Sequence, residues 1–250
     1  MTAGADPLAA RAARLAGKAN SLSALLIGAA FVGFSSPAAA QISGAVSIFS
    51  DDRYRGYTLS DGRPVGILDL YYDDPSGFYG TVSGKLVASE HAGIRPLGLV
   101  LNAGYARRLS SGLTIDVGAT HSTYSEYSDR AAARSYTEAY AGLSGKFLTA
   151  RIYASPDYLK DGSLYGELNA TAEIAPKLTL SGHAGLLLPL EANQNGYRYR
   201  REFDWRIGVA RQFGPVSLQA AWTAVSPGQR LYRDEYHSRD ALVVGVTYAL

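Results

Sequence analysis

Eight charged residues are the side chains best placed to do chemistry: Arg53, Arg55, Lys85, Asp116, Glu138, Arg151, Glu167 and Arg206. Each lies in a run where polar and apolar residues alternate, so each shares a face with other polar side chains. Asp69, Glu173 and Asp204 extend the acidic set. On the concave face of a closed sheet, charges of both signs would filter small polar solutes. The same groups could instead pair across a narrow interior and fill it, because a small barrel has little free bore. Nucleophilic catalysis finds less support. There are four histidines, His91, His121, His183 and His237. His121 and Ser122 are adjacent, which in a strand sends them to opposite faces. Only Thr123 or Ser125 would share the His121 face, and no nucleophile-elbow motif is present. No histidine or carboxylate cluster has metal-ligand spacing. The aspartates of 51–62 lack the spacing of a calcium loop, and no glycine-rich phosphate loop occurs. The chain therefore reads as a non-enzyme without metal or cofactor.

The elements that must carry these charges are strands. In LTIDVGA, Leu113, Ile115, Val117 and Ala119 oppose Thr114, Asp116 and Gly118. LYGELNATAEI (164–174) and VSLQAAWTA (216–224) alternate in the same way. Period two is the mark of a strand with two different faces. About twelve such runs are expected, near 42–58, 65–72, 78–88, 97–108, 113–124, 136–145, 147–154, 164–174, 178–188, 203–213, 216–225 and 241–250. Most have the length a tilted strand needs to cross a bilayer. The connections alternate too. DDPSG, LSSG, GK, APK and GP are short and rich in turn formers. SEHAGIR (89–95), 125–135, 155–163, 189–202 and 226–240 are longer, and only LSDGRP is brief on that side. A meander with short turns at one end and long loops at the other is the layout of outer-membrane barrels. The sequence thus predicts an all-β, transmembrane, antiparallel up-and-down β-barrel over residues 41–250.

Residues 1–40 read as a cleaved signal peptide. Arg11, Arg14 and Lys18 precede the apolar run Ser21–Phe34, and Ala38-Ala39-Ala40 closes it, the three parts of an export signal. The run is about 14 residues, against roughly 20 for a spanning helix. Residues 1–40 hold three of the 24 basic and one of the 22 acidic residues, so the remainder carries 21 of each. A neutral mature chain gives no reason to expect nucleic acid as a partner. The expected location is the outer membrane of a Gram-negative bacterium, with lipid, lipopolysaccharide and small polar solutes as partners. Arg198, Arg200 and Arg201 sit in one long loop, where guanidinium groups could hold lipopolysaccharide phosphates or simply be solvated.

Aromatics support a bilayer. Tyr71, Tyr72, Phe78, Phe147, Phe213 and Tyr248 gather at the short-turn ends of the strands. Tyr124, Tyr127, Tyr136, Tyr153, Tyr158, Tyr165, Phe203, Trp205 and Trp222 gather at the long-loop ends. Two such groups are expected to form the aromatic girdles of the membrane boundary. The last strand, ALVVGVTYAL, has the alternating apolar form that barrel-assembly machinery reads, although it ends in Leu250 rather than an aromatic.

The stretch SDDRYRGYTLSDGRP (Ser50–Pro64) resembles the signature of the TorF family, porin-like proteins of Gram-negative outer membranes. Ser50, Asp51, Arg55, Gly56, Asp61, Gly62 and Pro64 carry the likeness, and Asp52 stands where that family has an aromatic. PSGFYG (75–80) is a second similar stretch. The resemblance implies a porin-like barrel and supplies no solute or catalytic residue. Read from the residues, the stretch is the outer end of strand one. Asp51, Arg53 and Arg55 would face the lumen and Asp52 outward, tolerable near headgroups or with a bulge at Gly56. The function expected is passive passage of small hydrophilic solutes. The alternatives are an occluded structural or adhesion barrel and, less favoured, a lipid-modifying enzyme.

Overall fold

The computed structural model describes residues 40–90, 92–125, 135–158, 162–190, 201–226 and 240–250. Twelve antiparallel strands close into a barrel. They are β1 (Gln41–Phe49), β4 (Val65–Asp73), β5 (Phe78–Ser89), β6 (Gly93–Arg108), β7 (Thr114–Tyr124) and β8 (Ser135–Ser144), followed by β9 (Leu148–Ser155), β10 (Ser163–Ala175), β11 (Leu178–Pro189), β12 (Glu202–Phe213), β13 (Val216–Val225) and β14 (Asp240–Ala249). Between β1 and β4 lies a two-stranded hairpin, β2 (Arg53–Tyr54) and β3 (Tyr57–Thr58), that pairs only with itself. Neighbours in sequence are neighbours in the barrel, and β1 pairs with β14 to shut it, Ala45 opposite Ala249 and Phe49 opposite Gly245. Closure leaves no sheet edge, which a bilayer demands because lipid offers backbone groups no partner. No helix among the described residues is long and apolar enough to cross a membrane.

The alternation sorts the side chains as the sequence implies. Val46, Ile48, Leu68, Leu70, Val117, Ile152, Ile207 and Val244 are exposed on the outside, Ile152 by 62%. Ser47, Asp69, Ser83, Asp116, Thr120, Glu138 and Arg151 are buried inside. An apolar exterior and polar interior is the arrangement of a transmembrane barrel. At the short-turn end, Tyr72, Phe78, Phe147, Phe213 and Tyr248 point outward, as a girdle requires. The turn at Asp74 is held by its own carboxylate, which accepts from the Ser76 amide at 2.8 Å and from the Ser76 hydroxyl. Those bonds hold the Asp74 carboxyl below its ordinary range.

Four expectations are corrected. Strand one stops at Phe49, and residues 50–64 turn into the barrel instead of continuing the wall. The long-loop tyrosines Tyr124, Tyr136, Tyr153, Tyr158 and Tyr165, together with Tyr71 of the short-turn group, are buried rather than lipid-facing. The Tyr153 and Tyr165 hydroxyls find partners inside the barrel in Glu167 and Asp204. Tyr127 lies outside the described residues. The expected loop 89–95 is mostly strand, with Ser89 opposite Gly93. A bulge at Leu97, between the Lys85–Gly98 and Leu86–Pro96 pairs, turns that residue inward. Leu97 there joins Phe49, Val65, Ile67, Val87 and Val243 in an apolar cluster inside the barrel. Finally, Glu173 is exposed near the β10–β11 turn and does not join the interior acids.

Candidate functional site

The inward hairpin is built by its own residues. Asp51 is the hub: its carboxylate accepts from Arg53 Nε at 2.7 Å, Thr58 Oγ1 at 2.5 Å, Ser60 Oγ at 2.8 Å and the Gly62 amide at 3.3 Å. Arg53 Nη1 donates to the Gly56 carbonyl at 2.8 Å, tying the tip to the stem. The Leu59 amide donates to the Asp52 carbonyl at 2.7 Å and Ser60 Oγ accepts from the Asp52 amide at 3.0 Å. At the tip, Arg55 has φ 50° and Gly56 φ 81°. Two successive left-handed residues make a type I′ turn, whose twist suits a two-residue hairpin. For Arg55 that conformation costs about 1–2 kcal/mol relative to a right-handed one, so its contacts must hold it there.

Those contacts cross the bore. Arg55 Nη2 donates to Glu138 Oε1 of β8 at 2.7 Å, and Tyr54 Oη donates to Glu138 Oε2 at 2.8 Å. The Arg55 guanidinium carbon lies 3.9 Å from the ring centre of Tyr165, 4.5 Å from Tyr158, 4.7 Å from Tyr54 and 5.9 Å from Tyr153. Arg55 Nε and Nη1 have no hydrogen-bond acceptor among the described residues, and the aromatic faces take that role. Burial raises the Tyr158 phenol above its ordinary value, against the opposing pull of the Arg55 cation, so this ring stays neutral. On the opposite side, a Cβ added to Gly56 would lie 2.6 Å from Val225 Cβ, 3.0 Å from the Ala224 carbonyl oxygen and 3.2 Å from Asp204 Cβ. The tip therefore spans from β8–β10 to β12–β13. At the stem, Lys85 Nζ of β5 donates to Asp52 Oδ2 at 2.8 Å.

Deeper in the barrel the charges also meet partners. Arg151 donates to Asp116 Oδ2 at 2.8 Å and to Tyr153 Oη at 3.3 Å, and Tyr153 Oη donates to Glu167 Oε1 at 3.1 Å. Tyr79 and Tyr140 hydroxyls meet at 2.6 Å beside Asp116. Asp204 accepts from Tyr165 at 3.0 Å and faces His183 Nε2 at 2.9 Å.

Of the charged residues read from the sequence, Arg53, Arg55, Lys85, Asp116, Glu138 and Arg151 are all buried inside the barrel. Glu167 and Arg206 are partly buried on the same inner face. Arg53 and Arg55 reach the interior on the hairpin, not on the wall, which corrects their expected place. Asp52 is corrected as well: it points inward to Lys85, because burying it beside an ammonium avoids the cost of an unpaired carboxylate. Arg201 is exposed just before β12, and Arg198 and Arg200 lie outside the described residues. His121 is exposed and Ser122 buried, so the two do face apart. His121 meets Thr137 at 2.9 Å, Ser135 at 3.2 Å and Thr123 at 3.3 Å. Among the described residues no group of three or more histidines and carboxylates is placed to hold a metal.

Residues 34–248 match the family described as bacterial protein of unknown function (Gcw_chp). The chain belongs to the Gcw_chp family. No curated protein matches it by sequence. Among solved structures, a NanC porin is similar at TM-score 0.54 and 13% identity, over 84% of this chain and all of that one. A KdgM porin is similar at TM-score 0.52 and 11% identity, over 83% of this chain and 99% of that one. At such identities the likeness is one of fold.

Within this Gcw_chp barrel, reasoning from sequence missed the hairpin and its tyrosine surround. A signal for the first was present. Asp51, Asp52, Arg53 and Arg55 put charge on both faces of an extended segment, which a strand with a lipid side tolerates only near the headgroups or at a bulge. The surround of Tyr153, Tyr158 and Tyr165 had no such signal, since tyrosine serves equally in girdles and in interiors.

Proposed function

We propose that this Gcw_chp chain is a porin-like barrel of the Gram-negative outer membrane that passes small hydrophilic solutes passively. Its bore is narrowed by the 50–64 hairpin. The observation that supports this reading best is the closed barrel with ionic groups inside and an apolar exterior, on a fold shared with KdgM and NanC porins. A KdgM porin is known in complex with disordered oligogalacturonate, and by analogy polar solutes are the class proposed here. In this reading Arg53, Arg55, Lys85, Asp116, Glu138, Arg151, Glu167 and Arg206 line the passage. Residues 1–40 direct export and are removed. The final strand addresses assembly, Arg201 with Arg198 and Arg200 meets lipopolysaccharide, and the 50–64 stretch marks a TorF-like relative. No chemical step is assigned to the chain.

A second reading, an occluded structural barrel, is favoured by the hairpin itself, whose charges are paired across the lumen. Single-channel recording in planar bilayers separates the two. Steps of conductance from purified protein support passage; a heat-modifiable, correctly folded barrel that never conducts overturns it.

A further inference from the structure

On the interior wall, Glu138 pairs with the chain's own Arg55. Glu138 is 1% exposed and accepts hydrogen bonds from Arg55 and Tyr54, both on the hairpin tip. Glu138 thus anchors the guanidinium that the rings of Tyr153, Tyr158 and Tyr165 surround. Tyr136 closes the side of this recess, its ring 4.8 Å from that of Tyr158. A carboxylate set among electron-rich faces is the recognition chemistry of organic cations, since the rings attract positive charge and the carboxylate fixes its orientation. Arg55 shows which shape fits: a planar guanidinium, one nitrogen on Glu138 and its carbon over the rings of Tyr165 and Tyr158.

We infer that the recess formed by Glu138, Tyr153, Tyr158 and Tyr165 is a binding site for small guanidinium-type cations, with Arg55 as a built-in occupant that such a solute displaces. This deepens the channel reading and rests on it for its biological use, because displacement of Arg55 would free the hairpin that crosses the bore.

The site can be tested apart from transport. Arg55→Asn empties the recess and leaves Asn-Gly, a favoured type I′ pair, so the hairpin keeps its turn. Thermal unfolding in detergent is followed by heat-modifiable mobility, with methylguanidinium chloride or sodium chloride at matched ionic strength. The midpoint of Arg55→Asn should rise by several degrees in millimolar methylguanidinium and not in sodium. The unsubstituted protein should rise less, and Arg55→Asn with Glu138→Gln should lose the rise. An Arg55→Asn protein that responds no more than the parent, or a double variant that responds equally, overturns the proposal. Arg55→Gly fits the same backbone geometry and is the second emptied variant, with the same expected result. Bilayer recordings on the same preparations keep the two readings apart. Binding without conductance supports the recess while removing the channel; conductance without binding removes the recess and leaves the channel.

Discussion

Gly56→Ala should unseat the hairpin without unfolding the barrel. The added methyl would sit 2.6 Å from Val225 Cβ and 3.0 Å from the Ala224 carbonyl oxygen, both part of the wall and unable to swing aside. Its φ of 81° adds backbone strain for any residue with a Cβ. Left-handed geometry costs about 1–2 kcal/mol and overpacking about 1–3 kcal/mol, or together about 2–5 kcal/mol against the seated state. At 1.4 kcal/mol per decade this is roughly a 30- to 4,000-fold shift in the seated-to-unseated ratio. The barrel's own ladder does not include Gly56, since β2 and β3 pair only with each other. Heat-modifiability should therefore persist. The chain has no cysteine, so a single Leu59→Cys reports seating cleanly: Leu59 is buried against the tyrosine cluster. A membrane-impermeant maleimide should label Leu59→Cys slowly and the Leu59→Cys, Gly56→Ala pair much faster, with a matching rise in mean conductance. Equal labelling rates and equal conductance in the two proteins would refute the steric reasoning.

Glu138→Gln should destabilise the seated hairpin by about 3–5 kcal/mol, because it leaves a buried guanidinium without its counter-charge; denaturant titration of Leu59→Cys labelling reads this directly. Ile152→Arg, at a position 62% exposed on the outer face of β9, should cost about 2–4 kcal/mol in folding from urea into vesicles. Gly104→Val should also lower folding stability, by about 1–3 kcal/mol, since a Cβ there would lie 2.6 Å from the Tyr79 ring; the same vesicle titration measures it. At the exposed β4–β5 turn, the depressed Asp74 carboxyl contributes stability above the ordinary carboxylate range that is lost as pH falls through its lowered value. Asp74→Asn should therefore flatten the acid limb of the parent's pH–stability profile.

The barrel was legible because its rule is local. A strand between lipid and lumen must alternate at period two, and a break in that alternation marks its end. Ile115 and Val117 already fall opposite Asp116, and strand boundaries such as 178–188 and 203–213 follow from the same pattern. The sequence likewise determined that charge belongs within the wall, since lipid excludes it. Tertiary structure alone decided where each charge finds its partner. Arg55 and Glu138 are 83 residues apart, and Lys85 and Asp52 are 33 apart; nothing local links such pairs until the sheet closes. Whether residues 50–64 continue a wall or enter the bore depends on the same closure. Only a finished cylinder offers the hairpin a carboxylate, a ring of tyrosine faces and the wall of β13 at once.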